Sequence, residues 1–307
     1  MASLTSPLGN ETMFPALLTR RDFVAETAAL LVAPPSAPAD APLFSFAMIT
    51  DTHLGKPGAD YVKRMAMAVT EINAAAVEFT VFCGDLVDRG EVEANQKRYA
   101  EWNDLAKGLK KGFTAVPGNH DPVAVFTKHI RPQTESVIEF KDIRILAFAD
   151  AEPNPGHLGV VTADQMKWLQ ARLDEAKKKS QRVILAAHVI HHANQHPDVG
   201  WYIKDKPIRE AFGKLLAANT HIVAFFAGHA HCGMRGWNDT AHGIHEVILP
   251  CVSYNNDRKL DTAPGFAVRE FRPAWTRVDV FPTKLVLNIK PVGAEVAAIK
   301  ELPLLRS

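Results

Sequence analysis

The chain has 307 residues, with 35 Lys and Arg against 34 Asp and Glu, and 47% of its residues are hydrophobic. This composition is typical of a globular protein and excludes a disordered chain. A net charge of +1 gives no general basic surface, and no apolar run approaches the ~18 residues of a membrane helix, so we expect neither a nucleic-acid partner nor membrane insertion.

The first 41 residues differ in composition from the rest. They contain the pair Arg20-Arg21, an apolar stretch from Phe23 to Ala33 and a Pro/Ala-rich segment with the small-x-small sequence APA. This order resembles a twin-arginine export signal and predicts a periplasmic or secreted protein. The apolar stretch is short and carries Glu26, so a disordered arm on a cytoplasmic protein is the alternative. Residues 42–307 are expected to form a single domain.

From Leu43 onward, short apolar runs predict buried strands, and apolar residues at helical spacing predict helices. Strands and helices alternate up to about residue 227, and closely spaced strands follow. In chain order the predictions are the strand LFSFAMIT, the helix YVKRMAMAVTEINAAA, the strand FTVFCGD, the helix VEANQKRYAEWNDLAKGL, the strands GFTAVPGNHD, SVIEF and IRILAFAD, the helix ADQMKWLQARLDEAKKK, the strand RVILAAH, the helix KPIREAFGKLLAAN, and the strands HIVAFFAGH, IHEVILP, FAVREF, WTRVDVFP and KLVLNIK. This order predicts an α/β fold with a β-rich C-terminal portion.

Five of the predicted strands end in carboxylate, imidazole or carboxamide side chains. These residues are Asp51 with His53, then Asp85, then Asn119 with His120 and Asp121, then His188, and finally His229 with His231. Ligands of α/β sheets bind at the carboxyl ends of the strands, so we expect these side chains to lie together. Residues i and i+2 of an extended segment share a face, so Asp51 and His53 are expected to reach one ion.

The residue types at these strand ends point to metal ions. Gly84, Gly118 and Gly228 precede the polar residues and allow tight turns with close backbone approach. A mixture of imidazole and carboxylate groups suits zinc, iron or manganese better than calcium. Each motif alone is weak, but their occurrence in order at five strand ends predicts a site for two metal ions.

The ordered blocks Asp-x-His, Gly-Asp, Gly-Asn-His-Asp, a single His and Gly-His-x-His resemble the calcineurin-like metallophosphoesterases over residues 51 to 231. The resemblance implies a four-layer αββα sandwich with mixed sheets and a binuclear centre at its edge. It also implies the ligands: Asp51, His53 and His231 for one ion, Asn119, His188 and His229 for the other, and Asp85 as the bridge.

The resemblance further implies that His120 and Asn119 contact the substrate phosphate, and that His120 protonates the leaving alkoxide. It implies that Asp121 orients His120; a helix N-cap ahead of Pro122 is the other interpretation of Asp121. Arg89, in GDLVDRG, resembles the phosphate-contacting arginine of the Ser/Thr protein phosphatase branch, and a surface arginine is the alternative.

Two metal ions in such a site clamp a phosphoryl oxygen and generate a bridging hydroxide that attacks phosphorus in line with the leaving group. The GHAH block and the compact length resemble the cyclic-nucleotide and glycerophosphodiester phosphodiesterases, so the expected substrate is a small phosphodiester. The alternatives are a phosphomonoesterase or protein phosphatase, and a catalytically silent metal-binding interaction module. The sequence leaves the metal identity and a homo-oligomeric state open.

The segment HVIHHANQHPDVGWYI leaves two details undecided. His188 ends the strand and is the expected ligand, with His191 as its competitor. The loop that follows, with His192, His196, Trp201 and Tyr202, is either a lid over the leaving group or a surface loop. The remaining histidines, His129, His157, His221, His242 and His245, are expected to be structural or exposed, and Cys83, Cys232 and Cys251 are expected to be small buried hydrophobic residues.

Overall fold

The computed structural model describes residues 41–191, 202–203, 205–239, 243–256 and 265–304. The helices in these ranges are α1 (Tyr61–Ala74), α2 (Glu93–Gln96), α3 (Arg98–Ala106), α4 (Val123–His129), α5 (Ala163–Lys178) and α6 (Lys206–Ala218). The strands are β1 (Phe44–Ile49), β2 (Thr80–Cys83), β3 (Phe113–Val116), β4 (Ser136–Phe140), β5 (Ile143–Ala147), β6 (Arg182–Ala186), β7 (Ile222–Ala227), β8 (Met234–Asp239), β9 (Ile244–Ile248), β10 (Phe266–Val268), β11 (Ala274–Val280), β12 (Lys284–Pro291) and β13 (Ala298–Pro303).

The described strands form two mixed sheets. The first has six strands in the order β13-β12-β11-β1-β2-β3, and the second has seven in the order β10-β8-β9-β7-β6-β5-β4. In the first sheet, β1, β2 and β3 are parallel to one another, and β11 joins β1 antiparallel. In the second sheet, β5, β6, β7 and β9 are parallel. The carboxyl ends of the parallel strands within each sheet therefore lie along one edge of that sheet.

Three hydrophobic clusters separate four layers. The first joins the inner faces of the two sheets and includes Phe46 of β1 and Phe226 of β7. The second packs α1 and α3 on the first sheet around Trp102. The third packs α5 and α6 on the second sheet and includes Phe212 and Phe225. This αββα arrangement and the mixed sheets confirm the predicted fold class.

Local sequence explains why the long elements form where they do. All six residues of β1 and of β7 are buried, as expected for strands covered on both faces. Helix α5 begins with a capping box, in which Thr162 accepts from the Gln165 amide and Gln165 accepts from the Thr162 amide. The N-terminus of α6 is capped by Asp205, and Pro207 occupies its first turn.

The structure differs from the sequence-based prediction at three elements and one helix boundary. Strands β8 and β13 and helix α4 were not predicted. The single helix predicted over VEANQKRYAEWNDLAKGL is two helices, because the Ala100 amide bonds back to Lys97, three residues earlier. Helix α3 buries Tyr99, Trp102 and Ala106, whereas α2 buries none of its residues.

Within the described ranges, no helix has both the length and the apolar character to cross a membrane. The predicted export signal lies in the first 41 residues, of which only Ala41 is described, so the signal stays a prediction.

Candidate metal centre and active site

Loops that follow β1, β2, β3, β6 and β7 bring the predicted site residues together. Backbone hydrogen bonds join these loops: the amides of Asp51 and His53 donate to the carbonyls of Gly84 and Asp85, each at 3.0 Å. The amide of Gly228 donates to the carbonyl of His188 at 3.0 Å, which joins the ends of β6 and β7. The seven predicted ligands are all buried: Asp51, His53, Asp85, Asn119, His188, His229 and His231.

The side chains converge by a route that differs from the predicted one. Asp51 and His53 have φ angles of 54° and 45°, and His229 and His231 have φ angles of 73° and 48°. These residues are therefore left-handed and not part of an extended segment. Such a conformation costs free energy and persists where the surrounding structure fixes it, most often at functional sites. The ends of the strands place these four residues next to one another, and their left-handed backbone angles direct the side chains into the cluster.

Two glycines permit the close approach of these loops, as the sequence indicated. Gly84 has a φ of +84°, and a Cβ atom there would lie 2.5 Å from Nδ1 of His188. A Cβ atom on Gly228 would lie 2.5 Å from Oδ2 of Asp51 and would collide with Thr50. Any side chain at either position would displace a residue of the cluster.

Asp51 presents one free carboxylate oxygen to two imidazoles. Its Oδ2 atom accepts from the Thr50 hydroxyl at 2.6 Å and from the His229 amide at 3.0 Å. Its Oδ1 atom is buried and accepts no hydrogen bond. That atom lies 3.2 Å from Nε2 of His231 and 3.8 Å from Nε2 of His53, and the two Nε2 atoms are 3.1 Å apart.

Asp85 lies between two groups of side chains. Its Oδ1 atom accepts from the His120 amide at 2.9 Å. Its Oδ2 atom lies 3.4 Å from Nε2 of His53 and 3.4 Å from Nε2 of His188. One carboxylate oxygen is thus shared equally between the two halves of the cluster.

The second group consists of Asp85, His188, His229 and Asn119. Ligand atoms of the first three lie within 4.8 Å of one another, as do those of Asp51, His53, Asp85 and His231. The Oδ1 atom of Asn119 lies 3.2 Å from Nε2 of His188, which places the carboxamide in the second group.

Three of the four imidazoles are hydrogen-bonded through their other nitrogen, and the fourth, His53, lies beside a carboxylate. The Nδ1 atoms of His188 and His231 bond to the carbonyls of Cys83 and Tyr254 at 2.7 and 2.8 Å. Two further contacts complete the set: Nε2 of His229 lies 3.1 Å from the His157 carbonyl, and Nδ1 of His53 lies 3.3 Å from Asp88. Such contacts fix the tautomer and the ring orientation of metal-binding histidines.

The buried charges favour a cation in the cluster. Burial opposes ionisation of Asp51 and Asp85, but neighbouring histidines hold the pKa of both carboxyls below the usual range. Burial lowers the pKa of His188, but the Asp85 carboxylate outweighs this effect and raises it to about 10. Burial and the charge of His188 lower the pKa of His229 to about 3, so this imidazole is neutral and has a nitrogen lone pair for a metal ion.

These observations fit metal ions held by the two groups. A buried carboxylate oxygen without a hydrogen bond is unfavourable unless a cation lies beside it. The two imidazole nitrogens, 3.1 Å apart, are placed to bind the same cation. The donor set contains only nitrogen and oxygen, which suits zinc, iron or manganese.

His120 lies beside the metal-ligand cluster, with its ring edge-on to His53 at a centroid distance of 4.7 Å. Its Nδ1 atom accepts from the Arg89 amide at 3.1 Å, so the neutral ring carries its proton on Nε2. The Arg89 side chain is 61% exposed and lies 3.4 Å from Glu91. Arg89 therefore contacts His120 through its backbone, and its guanidinium lies at the rim of the site.

The carboxylate that lies beside the His120 ring belongs to Asp88, and the orienting role expected of Asp121 stays a prediction. Oδ1 of Asp88 lies 3.6 Å from Nδ1 of His120. The Asp121 carboxylate instead accepts from the Leu86 and Gly118 amides at 2.9 and 3.1 Å and from the Tyr99 hydroxyl at 2.8 Å.

Asp121 is not the N-cap of α4, because this helix begins at Val123 and Pro122 occupies the cap position. Burial and the charge of Asp85 raise the pKa of Asp121 to about 6.

Two acidic residues at the site escaped the sequence analysis although a signal existed for each. Asp88 is the second aspartate of GDLVDRG, three residues after Asp85. Asp150 ends the predicted strand IRILAFAD, and its Oδ1 atom accepts from the His188 and Val189 amides, each at 2.9 Å. Asp150 therefore fixes the turn that carries His188, and burial raises its pKa to about 7.

The structure places the two competing histidines in different surroundings. His188 lies in the cluster, whereas Nδ1 of His191 lies 3.1 Å from Glu246 and its Nε2 lies 3.1 Å from the Arg209 carbonyl. Tyr202 is buried in a small cluster with Ile190 and Trp237. His192, His196 and Trp201 lie outside the described residues, so the lid and surface-loop interpretations both stand.

The other histidines have mostly structural contacts. His221 and His245 bond to the carbonyls of Leu173 and Pro303, and His129 stacks on Tyr99. His157 is exposed, although its carbonyl contacts His229. His242 lies outside the described residues. The three cysteines are free and buried, which confirms the expectation for them.

The four-layer fold and the clustered metal-binding side chains define a metal-dependent hydrolase of phosphoric esters. The sequence profile of the calcineurin-like phosphoesterase family matches residues 44–233, and the chain belongs to this family.

Relatives and solved structures agree with this assignment. The chain is 27% identical to a cAMP/cGMP dual specificity phosphodiesterase of Mycobacterium tuberculosis, over 80% of this chain and 78% of the relative. It is 23% identical to a protein of Rhodococcus erythropolis named "Probable cyclic nucleotide phosphodiesterase", over 81% of this chain and 83% of the relative. A dimetal phosphatase from Danio rerio has a similar fold, with a TM-score of 0.66 at 14% identity, over 87% of this chain and 100% of that structure.

Proposed function

We propose that this enzyme hydrolyses a small phosphodiester, of the cyclic-nucleotide or glycerophosphodiester class, with two metal ions. The names of the two bacterial relatives support the cyclic-nucleotide class. The shared carboxylate of Asp85 carries the two-ion part of the proposal. An oxygen that lies 3.4 Å from an imidazole of each group is suited to bridge two cations and is poorly suited to a single one.

In this proposal Asp51, His53 and His231 hold one ion, and Asn119, His188 and His229 hold the other. Bound metal ions of this type supply Lewis acidity toward phosphoryl oxygens and a hydroxide nucleophile at neutral pH. The chain contributes the orientation of the ligands, since His188, His229 and His231 are hydrogen-bonded through their second nitrogen and Nδ1 of His53 lies 3.3 Å from Asp88.

His120 serves as the general acid in the proposed reaction. Because its Nδ1 accepts from the Arg89 amide, the proton on Nε2 is the one available to a leaving alkoxide. Its side chain is 18% exposed, so it is accessible to a substrate while the ligands beneath it are buried. The exposed Arg89 guanidinium at the rim is suited to contact a phosphate oxygen.

The proposal is tested with full-length protein loaded separately with Mn²⁺, Zn²⁺ or Fe²⁺. The substrates are bis(p-nitrophenyl) phosphate, p-nitrophenyl phosphate, cyclic AMP and glycerophosphocholine. We expect hydrolysis of the diesters and a loss of kcat of about 100-fold or more in Asn119→Ala, which removes a ligand and a phosphate contact.

Asn73→Ala is the matched control. Asn73 bonds to Gly108 and Lys110 at the end of α1, so its removal should leave kcat unchanged. Hydrolysis of the monoester alone would favour a phosphomonoesterase over a diesterase. Absence of turnover with all three metals, together with tight metal uptake, would contradict the catalytic proposal and favour the interaction module.

A further inference from the structure

Tyr254 contacts the metal-ligand candidate His231 in two ways. Its ring stacks on the His231 imidazole, with a centroid distance of 4.1 Å and an interplanar angle of 10°. Its backbone carbonyl accepts from Nδ1 of His231 at 2.8 Å. The stack opposes rotation of the imidazole, and the carbonyl fixes the tautomer that leaves Nε2 directed at Asp51 and His53.

Tyr254 is in turn held by a residue that follows His53 in the chain. The Lys56 ammonium donates to the Tyr254 hydroxyl at 2.9 Å and lies 4.4 Å from the centre of its ring. Lys56 is itself fixed next to His53, because its amide donates to the His53 carbonyl at 3.1 Å. The two histidines of the first group are therefore linked outside the cluster through Lys56 and Tyr254.

Further contacts hold the backbone of residues 253–256 against this end of the site. Arg64 of α1 donates to the Ser253 carbonyl. The Asn256 amide donates to the His231 carbonyl at 2.8 Å. The Asn255 side chain bonds to both the amide and the carbonyl of Cys251, at 2.7 and 2.8 Å. The Tyr254 carbonyl and ring are thus presented to His231 by a fixed loop.

The other half of the cluster has different supports. His188 is anchored by the Cys83 carbonyl at the end of β2, and His229 by the His157 carbonyl in the loop after β5. The two metal-binding groups thus depend on separate parts of the chain for the orientation of their histidines.

We propose that Tyr254 is a positioning residue that sets the metal affinity of the Asp51, His53 and His231 group, and that Lys56 fixes Tyr254 in place. This inference rests on the two-ion site of the proposed function. Loss of either residue weakens one metal site and leaves the Asn119, His188 and His229 site intact. Outer contacts of this kind typically change metal affinity by about 10–100-fold.

The test is a calorimetric titration of metal-stripped, full-length protein with Zn²⁺. His231→Ala and Asn119→Ala serve as references that assign each binding step to one group. In Tyr254→Leu, which removes the stack, we expect the step that His231→Ala abolishes to weaken by about 10–100-fold, and the other step to stay within about 2-fold.

Two conservative variants separate the ring from its anchor. Tyr254→Phe keeps the stack and loses the hydroxyl, and Lys56→Met loses the ammonium. We expect both to weaken the same step by similar factors that do not multiply in the double variant, because they remove one shared interaction. Lys56→Arg should restore most of the affinity. Lys63→Met, at an exposed position of α1, is the matched control and should change neither step.

Three outcomes contradict the proposals in distinguishable ways. Unchanged isotherms in Tyr254→Leu and Lys56→Met, with two ions bound by the wild type, overturn this inference alone. Equal weakening of both steps with a lowered melting temperature shows a general structural role and also overturns it. Wild-type protein that binds fewer than two ions contradicts the two-ion site itself.

Discussion

Asp88 and His120 face each other across 3.6 Å, between Oδ1 of the carboxylate and Nδ1 of the imidazole. The same Oδ1 atom lies 3.3 Å from Nδ1 of His53. A single buried carboxylate thus stands between a candidate metal ligand and the candidate general acid. The Asp88 charge therefore acts on both the His53 ligand and the His120 proton donor without contact between Asp88 and the substrate.

We expect Asp88→Asn to lower kcat by about 10–100-fold with a small change in KM, because the negative charge beside the His53 and His120 rings is lost while the shape is kept. The measurement is steady-state hydrolysis of bis(p-nitrophenyl) phosphate at saturating metal. Asp104→Asn, at a side chain that is 79% exposed on α3, is the control. A kcat equal to that of the control would show that the Asp88 charge has no part in the chemistry.

Asp121 is expected to act on stability more than on the reaction. Asp121→Asn replaces one acceptor oxygen by an amide group. That group then faces either the Leu86 and Gly118 amides, at the Oδ2 position, or the Val87 amide and the Tyr99 hydroxyl, at the Oδ1 position. We expect the free energy of unfolding to fall by about 1–3 kcal/mol, since buried donors lose their acceptor. Urea unfolding of the metal-free protein measures this change.

Tyr99→Phe provides the comparison for Asp121, because it removes one of the four donors and leaves the carboxylate in place. It should cost less stability than Asp121→Asn. If Asp121→Asn instead leaves stability unchanged and lowers kcat as much as Asp88→Asn does, Asp121 has the orienting role that the family resemblance implied.

Alanine variants of Gly84 and Gly58 separate two effects at the site: the loss of close approach to His188 and the strain of a left-handed backbone. Gly84→Ala introduces a Cβ atom 2.5 Å from Nδ1 of His188, at a φ of +84°. Gly58→Ala introduces one at a φ of +100° with no atom within 4 Å. Both substitutions carry the strain of a left-handed alanine, of order 1–3 kcal/mol, but only Gly84→Ala displaces a ligand.

We therefore expect both glycine variants to melt at lower temperatures than the wild type and only Gly84→Ala to lose metal. Metal content after dialysis, measured by atomic emission, separates the two effects. Equal metal content in the two variants would mean that the His188 ring tolerates the added methyl group.

The sequence predicted most of the fold because its buried strands are short apolar runs and its helices are amphipathic. The sequence did not predict elements whose structure depends on contacts with neighbouring strands or on backbone hydrogen bonds. Strand β8, with the sequence MRGWND, lacks an apolar alternation and forms between β9 and β10. The break between α2 and α3 at Lys97 depends on which backbone groups are hydrogen-bonded. No glycine or proline in this segment signals a break, and Lys97 itself keeps right-handed angles of −58° and −23°.

The metal-binding residues were predictable as a set because they lie at the ends of predicted strands. Their directions were not, because the left-handed φ angles of Asp51 and His231 follow from the contacts between loops that are distant in sequence. The positions of Asp88 and Asp121 have the same origin: Asp88 lies 3.6 Å from His120, whereas Asp121 accepts from the Leu86 and Gly118 amides.

A pH dependence of stability is expected from His245, which lies away from the metal ligands and bonds to the Pro303 carbonyl at 2.6 Å. Burial lowers the pKa of His245 in the folded protein below 6.5. The unfolded chain therefore binds the proton first as the pH falls, so this histidine stabilises the folded state above pH ~6.5 and loses that contribution below it.

His245→Gln keeps a donor for the Pro303 carbonyl and removes the titration. The free energy of unfolding of wild type minus that of the variant should decrease between pH 8 and pH 5, measured by urea unfolding in EDTA. His53 and His229 have lowered pKa values and His188 a raised one, but all three are present in both proteins, so the difference isolates His245. A difference that stays constant across this range would mean that the His245 pKa is the same in the folded and unfolded states.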